Sequence, residues 1–522
     1  MIYRQTGYVL VSLLLLGSLW WTSGPSEAPG SPSPTTVDAR QYTAYFRLNP
    51  STLSLQAHTS VQLRTPDKSP LTQLFLHGLI IDSLKVNHHP ASYTRKQDTL
   101  IISGYLPDTL LNIDIFYHGR PQTGLYRQEY QGVEVIFTDS WPERARGWLP
   151  SIDHPRDPAS FTLTLDLPAQ YEAIASGKHI AHKQTADRRL WTWQLQGTAP
   201  TYAFAFAVGD FSSLRTVVAD SLPVMYHLLP PDSAQMILLA RVPETLFYFS
   251  RLIGRYPYSK YAVAQIPILY GGMENASIPF LQAALFPITP EGKGNRVESI
   301  QVHEAAHQWF GDAITLSDWR HLWLSEGMAT YLTTLFYEQI DGPNAARWRR
   351  VEMARLSPEE QTADHTLVPA HPVDPATFLT WVPYRKGGCV LHLIRLTVGD
   401  SAFTQALQLA YKRFKGKSWT TEEWRHILEH TSKQSLKSLF DFWVYGNTLP
   451  RLYAHWDASS HTLSWRIEND AQTLQELPFE LLLSDSQEHF RFTLATQRTI
   501  SLPGWEKPQI WPVGIMMEVV WE

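Results

Sequence analysis

Val302-His303-Glu304-Ala305-Ala306-His307-Gln308-Trp309-Phe310-Gly311-Asp312 is the stretch on which the reading of this chain turns. On a helix, residues i and i+4 share one face and lie about 6 Å apart along the axis. His303 and His307 therefore aim both imidazoles at one ion. Glu304, beside the first of them, reaches a water on that ion and takes its proton. Asn295 with Glu298 three residues on forms a capping-box-like helix start, and Gly311 supplies a stop. At this chain's His and Glu frequencies the HExxH pattern arises by chance in roughly one chain in twenty-five, so it needs company. Glu326 supplies it, 19 residues past His307 in Trp323-Leu324-Ser325-Glu326-Gly327, on what reads as the next helix. An unpaired acid among Trp323, Leu324, Met328 and Tyr331 would be expensive to bury. Two histidines and a glutamate leave the open fourth position that catalytic zinc needs. The expectation is one zinc ion per chain held by His303, His307 and Glu326, with Glu304 as the base.

Outward from this centre the pattern changes twice. Short alternating runs such as YTAYFRL, SFTLTLDL and YAFAFAVGDF fill residues 39–210 and predict an antiparallel β domain. Residues 211–447 carry longer helical segments, and 448–522 return to alternation as a small β-sandwich-like module. The fold class expected is multidomain α+β. The 522 residues suit about three domains. A net charge of −5 argues against a nucleic-acid partner held through phosphates. The single cysteine, Cys389, excludes an intrachain disulfide framework, a cysteine-rich zinc site and an iron–sulfur cluster. It follows Gly387-Gly388 and heads an apolar run, which predicts a buried, inert thiol.

The N-terminus reads as an export address. Arg4 precedes the apolar run Val9–Trp21, too short to span a bilayer comfortably but of signal-peptide length. Ser26-Glu27-Ala28 has cleavage-site spacing, yet Pro29 follows, so residues 1–24 are a signal peptide or an uncleaved membrane anchor. Residues 25–38 form a Pro/Ser-rich linker. The expected location is periplasmic, extracellular or membrane-anchored.

Four motifs together resemble the aminopeptidase N and leukotriene hydrolase family of zinc metallopeptidases. They are VHEAAHQWFGD (Val302–Asp312), WLSEGMATY (Trp323–Tyr331), GGMEN (Gly271–Asn275) and VPYRKGG (Val382–Gly388), in the family's order. A weaker match, TDSWPERARGWLPSIDHP, spans Thr138–Pro155. The resemblance implies a thermolysin-like, mostly helical catalytic domain acting on peptides with a free N-terminus. Gly271, Gly272, Met273, Glu274 and Asn275 then form the substrate-binding segment, with Glu274 holding the α-amine. Tyr384 inherits the family's oxyanion-binding phenol. Independently, GGMEN follows the strand-like YAVAQIPIL, whose Pro267 suits an edge strand open to β-augmentation. Asp312 is expected either to orient a ligand imidazole or to lie at the surface.

Two departures stand out. Asp139 occupies the place of a glutamine that helps hold the amine in many family members, so the resemblance implies that it binds the substrate's ammonium, and Trp141, in place of a glutamate beside it, is expected to shape the first specificity pocket. Only about 70 residues follow Pro450, enough for the β module and not for the large helical domain that closes the cleft in many relatives. The resemblance thus implies a three-domain aminopeptidase with a more open site. An endopeptidase or epoxide hydrolase on the same residues, and an inactive peptide-binding protein, are the competing expectations. Oligomeric state is not written in the sequence.

Overall fold

The computed structural model describes residues 37–65, 71–103, 109–218, 221–287, 295–361, 363–468, 478–483, 489–493 and 497–522. The signal or anchor segment and almost all of its linker fall outside the described residues. The chain divides into two compact units: residues 37–318 with Tyr411–Trp419, and Trp319–Ala410 with Thr420–Glu522. No described helix is long and apolar enough to cross a membrane.

In the first unit, alternation builds an eight-stranded sheet. Strand β1 (Asp38–Asn49) buries Tyr42, Ala44, Phe46 and Leu48 at 0–1% exposure and turns the intervening residues outward. All its pairings are antiparallel except one: β1 runs parallel to β2 (Ala159–Pro168). This corrects the expectation of a purely antiparallel domain. Parallel neighbours need a crossover, and the long stretch of strands between β1 and β2 supplies one. Trp148 fills the core, edge-on to Phe46, Phe161 and Phe206 at centroid distances of 5.6, 6.3 and 5.6 Å. Its indole N–H donates to Ser140 Oγ at 3.0 Å, so the ring is buried without an orphaned donor.

A five-stranded sheet follows in the same unit, in the order Ser212–Val218, Leu222–Leu228, β3 (Tyr261–Ile266), β5 (Phe280–Gln282), β4 (Gly272–Met273). Every residue of β3 is buried, and it lies parallel to a neighbour on each side. The YAVAQI run is thus central. The strand stops at Ile266, before Pro267 can remove a ladder N–H. The edge belongs to β4, inside GGMEN. Helix α1 (Asn295–His307) comes next, and Gly311 breaks away from it at φ +133°, a conformation that favours glycine. Residues Lys417–Trp419 return to pair with Ile314–Leu316 just beyond.

The second unit opens on α2 (Trp323–Asp341), buried on most of its circumference. Gly342 at φ +86° ends it, and Pro343 starts the next helix, Pro343–Ala354. Later strands form a four-stranded sheet and a three-stranded one. Leu482 and Val513 of the latter pack on Val351 of the Pro343–Ala354 helix.

Candidate active site

Helix α1 places three of the expected residues on its last turn and a half. His303 Nε2 and His307 Nε2 stand 3.1 Å apart. His307 Nδ1 lies 3.1 Å from the Phe310 carbonyl oxygen. A carbonyl only accepts, so Nδ1 carries the proton and Nε2 keeps a bare lone pair. That lone pair faces a second imidazole nitrogen at a distance at which both can also ligate one ion. Glu274, Glu304 and His307 present donor atoms that all lie within 4.8 Å of one another. Two imidazole nitrogens at that spacing are donors zinc takes, so the histidine pair fits that ion, with Glu274 and Glu304 at its side.

Gly272 explains how a sheet edge comes so close to Glu304. A Cβ at Gly272 would sit 2.2 Å from a Glu304 carboxylate oxygen. Only a glycine lets β4 pass there, so the edge strand and the carboxylate share one space. Gly271 continues the pairing, its carbonyl accepting Gln282 N–H at 2.9 Å. Met273 is buried opposite Phe280. Glu274 is 6% exposed and Asn275 1%, and neither polar atom of the Asn275 side-chain amide has a hydrogen-bond partner among the described residues.

Gln308, the residue after His307, ties this segment to the helix. Its Nε2 donates to Glu274 O and to Asp312 Oδ2, both at 2.9 Å. Its Oε1 accepts from Ser277 N–H at 2.7 Å and Tyr256 OH at 3.2 Å. All four valences of a wholly buried amide are used. Asp312 is buried, which settles the alternative of a surface position, and it accepts a hydrogen bond from Gln308. Burial, reinforced by Glu274 and Glu304, raises its pKa well above the usual carboxylate range.

Asp139 is buried, and both of its oxygens are engaged. Tyr270 OH donates to Oδ1 and Arg144 Nη2 to Oδ2, each at 2.8 Å. Burial raises its pKa, while Arg144 and the hydrogen bonds pull it back. Arg144 in turn donates from Nε to Trp141 O at 2.6 Å and from Nη1 to Tyr126 OH at 3.2 Å. The Trp141 ring is buried at 9% exposure.

Glu326 and Tyr384 belong to the second unit. Glu326, 4% exposed, sits in the first turn of α2, where the helix dipole favours a negative charge. Tyr384 lies in a single π-helical turn, Val382–Lys386, that leads into α3 (Gly387–Val398). Such turns are frequent at functional sites. A Cβ on Gly327 of α2 would lie 3.0 Å from the Gly387 backbone, so a glycine pair lets the two helices touch next to both residues. Arg385 donates to Glu360 at 2.8 Å, and Lys386 donates to the His365 carbonyl, pinning the turn on two sides. Burial lowers the Lys386 pKa to about 7 and raises that of Cys389 to about 12, so the thiol is buried and protonated as expected.

Gln308 and Tyr270 are not among the site residues that the sequence singles out. Gln308 had a signal, a polar residue inside VHEAAHQWFGD immediately before Trp309-Phe310. Tyr270 had none, since 131 residues separate it from Asp139.

Comparison with known proteins adds a third line. Residues 240–443 match the peptidase family M1 domain, and residues 40–203 match the peptidase M1 N-terminal domain. Glutamyl aminopeptidase of Rattus norvegicus is 26% identical over 345 residues, covering 62% of this chain and 36% of that protein. Probable aminopeptidase 2 of Sulfurisphaera tokodaii is 23% identical over 443 residues, covering 82% of this chain and 56% of its own length. The chain thus spans between about a third and just over half of these relatives. Among solved structures, the M1 zinc metallopeptidase of Deinococcus radiodurans superposes with a TM-score of 0.70 at 24% identity, covering 79% of this chain and 94% of that one. Legionella pneumophila aminopeptidase A, solved with aspartic acid, gives 0.77 at 18% identity, over 94% of this chain and 60% of that one.

Proposed function

The chain belongs to peptidase family M1, and from that premise we propose that it is an exported zinc aminopeptidase that removes N-terminal residues from peptides. The observation that carries the reading is the His303–His307 nitrogen pair, 3.1 Å apart, with Glu304 and Glu274 beside it. His303, His307 and Glu326 hold the zinc; the support for Glu326 is its 19-residue spacing from His307 within the WLSEG motif. When bound, zinc supplies Lewis acidity that polarises the scissile carbonyl and makes water a nucleophile at neutral pH.

The chain's own residues do the rest. Glu304 takes the proton of the attacking water and returns it to the leaving amine. Tyr384 donates its phenolic hydrogen to the oxygen that gains negative charge. Glu274 pairs with the substrate's ammonium, a charge-assisted contact that counts from the N-terminus. Strand β4, a two-residue edge, accepts the substrate backbone as an added strand. The apolar Val9–Trp21 run supports export, with the mature protein released or anchored.

A panel of aminoacyl-arylamides with and without chelator tests the reading as a whole. The expected outcome is that free-amine substrates are hydrolysed, that chelation abolishes turnover, and that added zinc restores it. N-acetylated peptides cut as fast as free ones would replace this reading with the endopeptidase one.

A further inference from the structure

The family resemblance makes Asp139 a second anchor for the substrate's amine. Its contacts give it a different occupation. A carboxylate has about four acceptor sites; one takes the Tyr270 hydroxyl and another the Arg144 guanidinium, and the Trp141 backbone N–H also bonds to it. Arg144 is a full positive charge 2.8 Å away, so the pair offers a second cation no net attraction. Arg144 is itself held by the Trp141 carbonyl and the Tyr126 hydroxyl, with its Nη2 directed at Asp139.

What Asp139 holds is Tyr270, the residue immediately before Gly271-Gly272. That segment runs into β4, where Gly272 passes so close to Glu304 that a single methyl group would strike the carboxylate. The path from Asp139 to the base is therefore short: carboxylate to phenol, phenol to backbone, backbone against Glu304.

We propose that Asp139, locked by Arg144, is a positioning residue that clamps Tyr270 and so sets the edge strand β4 against Glu304, leaving the substrate's amine to Glu274. This rests on the aminopeptidase reading for its kinetic part. The charged pair is internal to the clamp, and its role in the reaction is geometric: it touches neither substrate nor reacting atoms.

The test is a double-mutant cycle on the zinc-loaded full chain with Asp139→Asn and Tyr270→Phe. Kinetics on an alanyl-arylamide are measured beside thermal melting and zinc content. Losing one such hydrogen bond corresponds to about a tenfold change. Each single variant is expected to lower kcat about tenfold with KM within about twofold, and the double variant to be no worse than the poorer single. A purely structural role would lower melting without this kcat-selective loss. An amine ligand would behave oppositely: Asp139→Asn would raise KM, Tyr270→Phe would stay near the parent, and the effects would add in the double. Either that pattern or additive melting temperatures overturns the proposal. The melting cycle needs no turnover, so an inactive parent protein would sink the aminopeptidase reading while the clamp is still judged on melting.

Discussion

At the scale of single residues, Glu304 and Gly272 occupy one space, and that is where activity is most exposed to small changes. Glu304→Gln keeps the shape of the side chain and removes the base. We expect turnover to fall about 10²- to 10⁴-fold, with zinc content by metal analysis unchanged because the glutamate is not a ligand in this reading. Gly272→Ala is the subtler probe. The added methyl meets the Glu304 carboxylate at 2.2 Å, so one of the two must move. A displacement near 1 Å at a reacting group costs about 10² in rate. The expected outcome is a kcat lower by that order in a protein that still folds and still binds zinc. An alanine variant with parental kcat would mean the carboxylate swings aside freely. Glu304 and the two histidines were legible from spacing alone, because a helix fixes what lies at i and i+4. The demand for glycine at 272 was legible only as permissiveness, since its partner is 32 residues away in the chain.

At the scale of elements, the join between α1 and the GGMEN segment rests on one buried amide. Gln308 satisfies donors and acceptors from Glu274, Ser277, Tyr256 and Asp312 at once. Gln308→Leu matches its size and leaves those groups buried and unpaired, each at about 1–3 kcal/mol. We expect a loss of roughly 3 kcal/mol or more, read as a lower midpoint in chemical denaturation; a midpoint within error of the parent would show that water replaces the amide. The alternating runs of the first unit announced themselves because one face is solvated. Strand β3 is buried on both faces, so YAVAQI shows no alternation, and Pro267, which in sequence suits an edge strand, marks the strand's end instead. The parallel β1–β2 pair was equally hidden, because hydrophobic pattern sets which face a residue joins, not which strand lies next to it.

At the scale of the whole molecule, stability depends on charges that folding refuses. His227 is buried against Ser213, and burial, with Lys260 nearby, lowers its pKa from 6.5 to about 3. A histidine held neutral in the fold takes its proton first in the unfolded chain. Its contribution is therefore complete above pH 6.5 and lost as pH falls toward 3. Lys260 is buried and donates to the Ala175 carbonyl at 2.7 Å, and burial lowers its pKa from 10.5 to about 7. The unfolded chain binds that proton more tightly, so the native state loses stability as pH drops from 10.5 to 7, and the cost levels off below 7. Lys260→Met removes the penalty. Its denaturation midpoint should exceed the parent's, by more at pH 6 than at pH 9; an equal gain at both would place the lysine's charge elsewhere. By itself the sequence determined the zinc-type ligand spacing, the base, the family likeness and the β-then-α order, because each depends on local periodicity or on short motifs read along the chain. Tertiary structure alone decided which strand is the edge, why position 272 must be glycine, what Gln308 holds, and that Asp139 takes the Tyr270 hydroxyl. Those are contacts between residues up to 131 positions apart, and no pattern in one stretch of chain records what another stretch will bring against it.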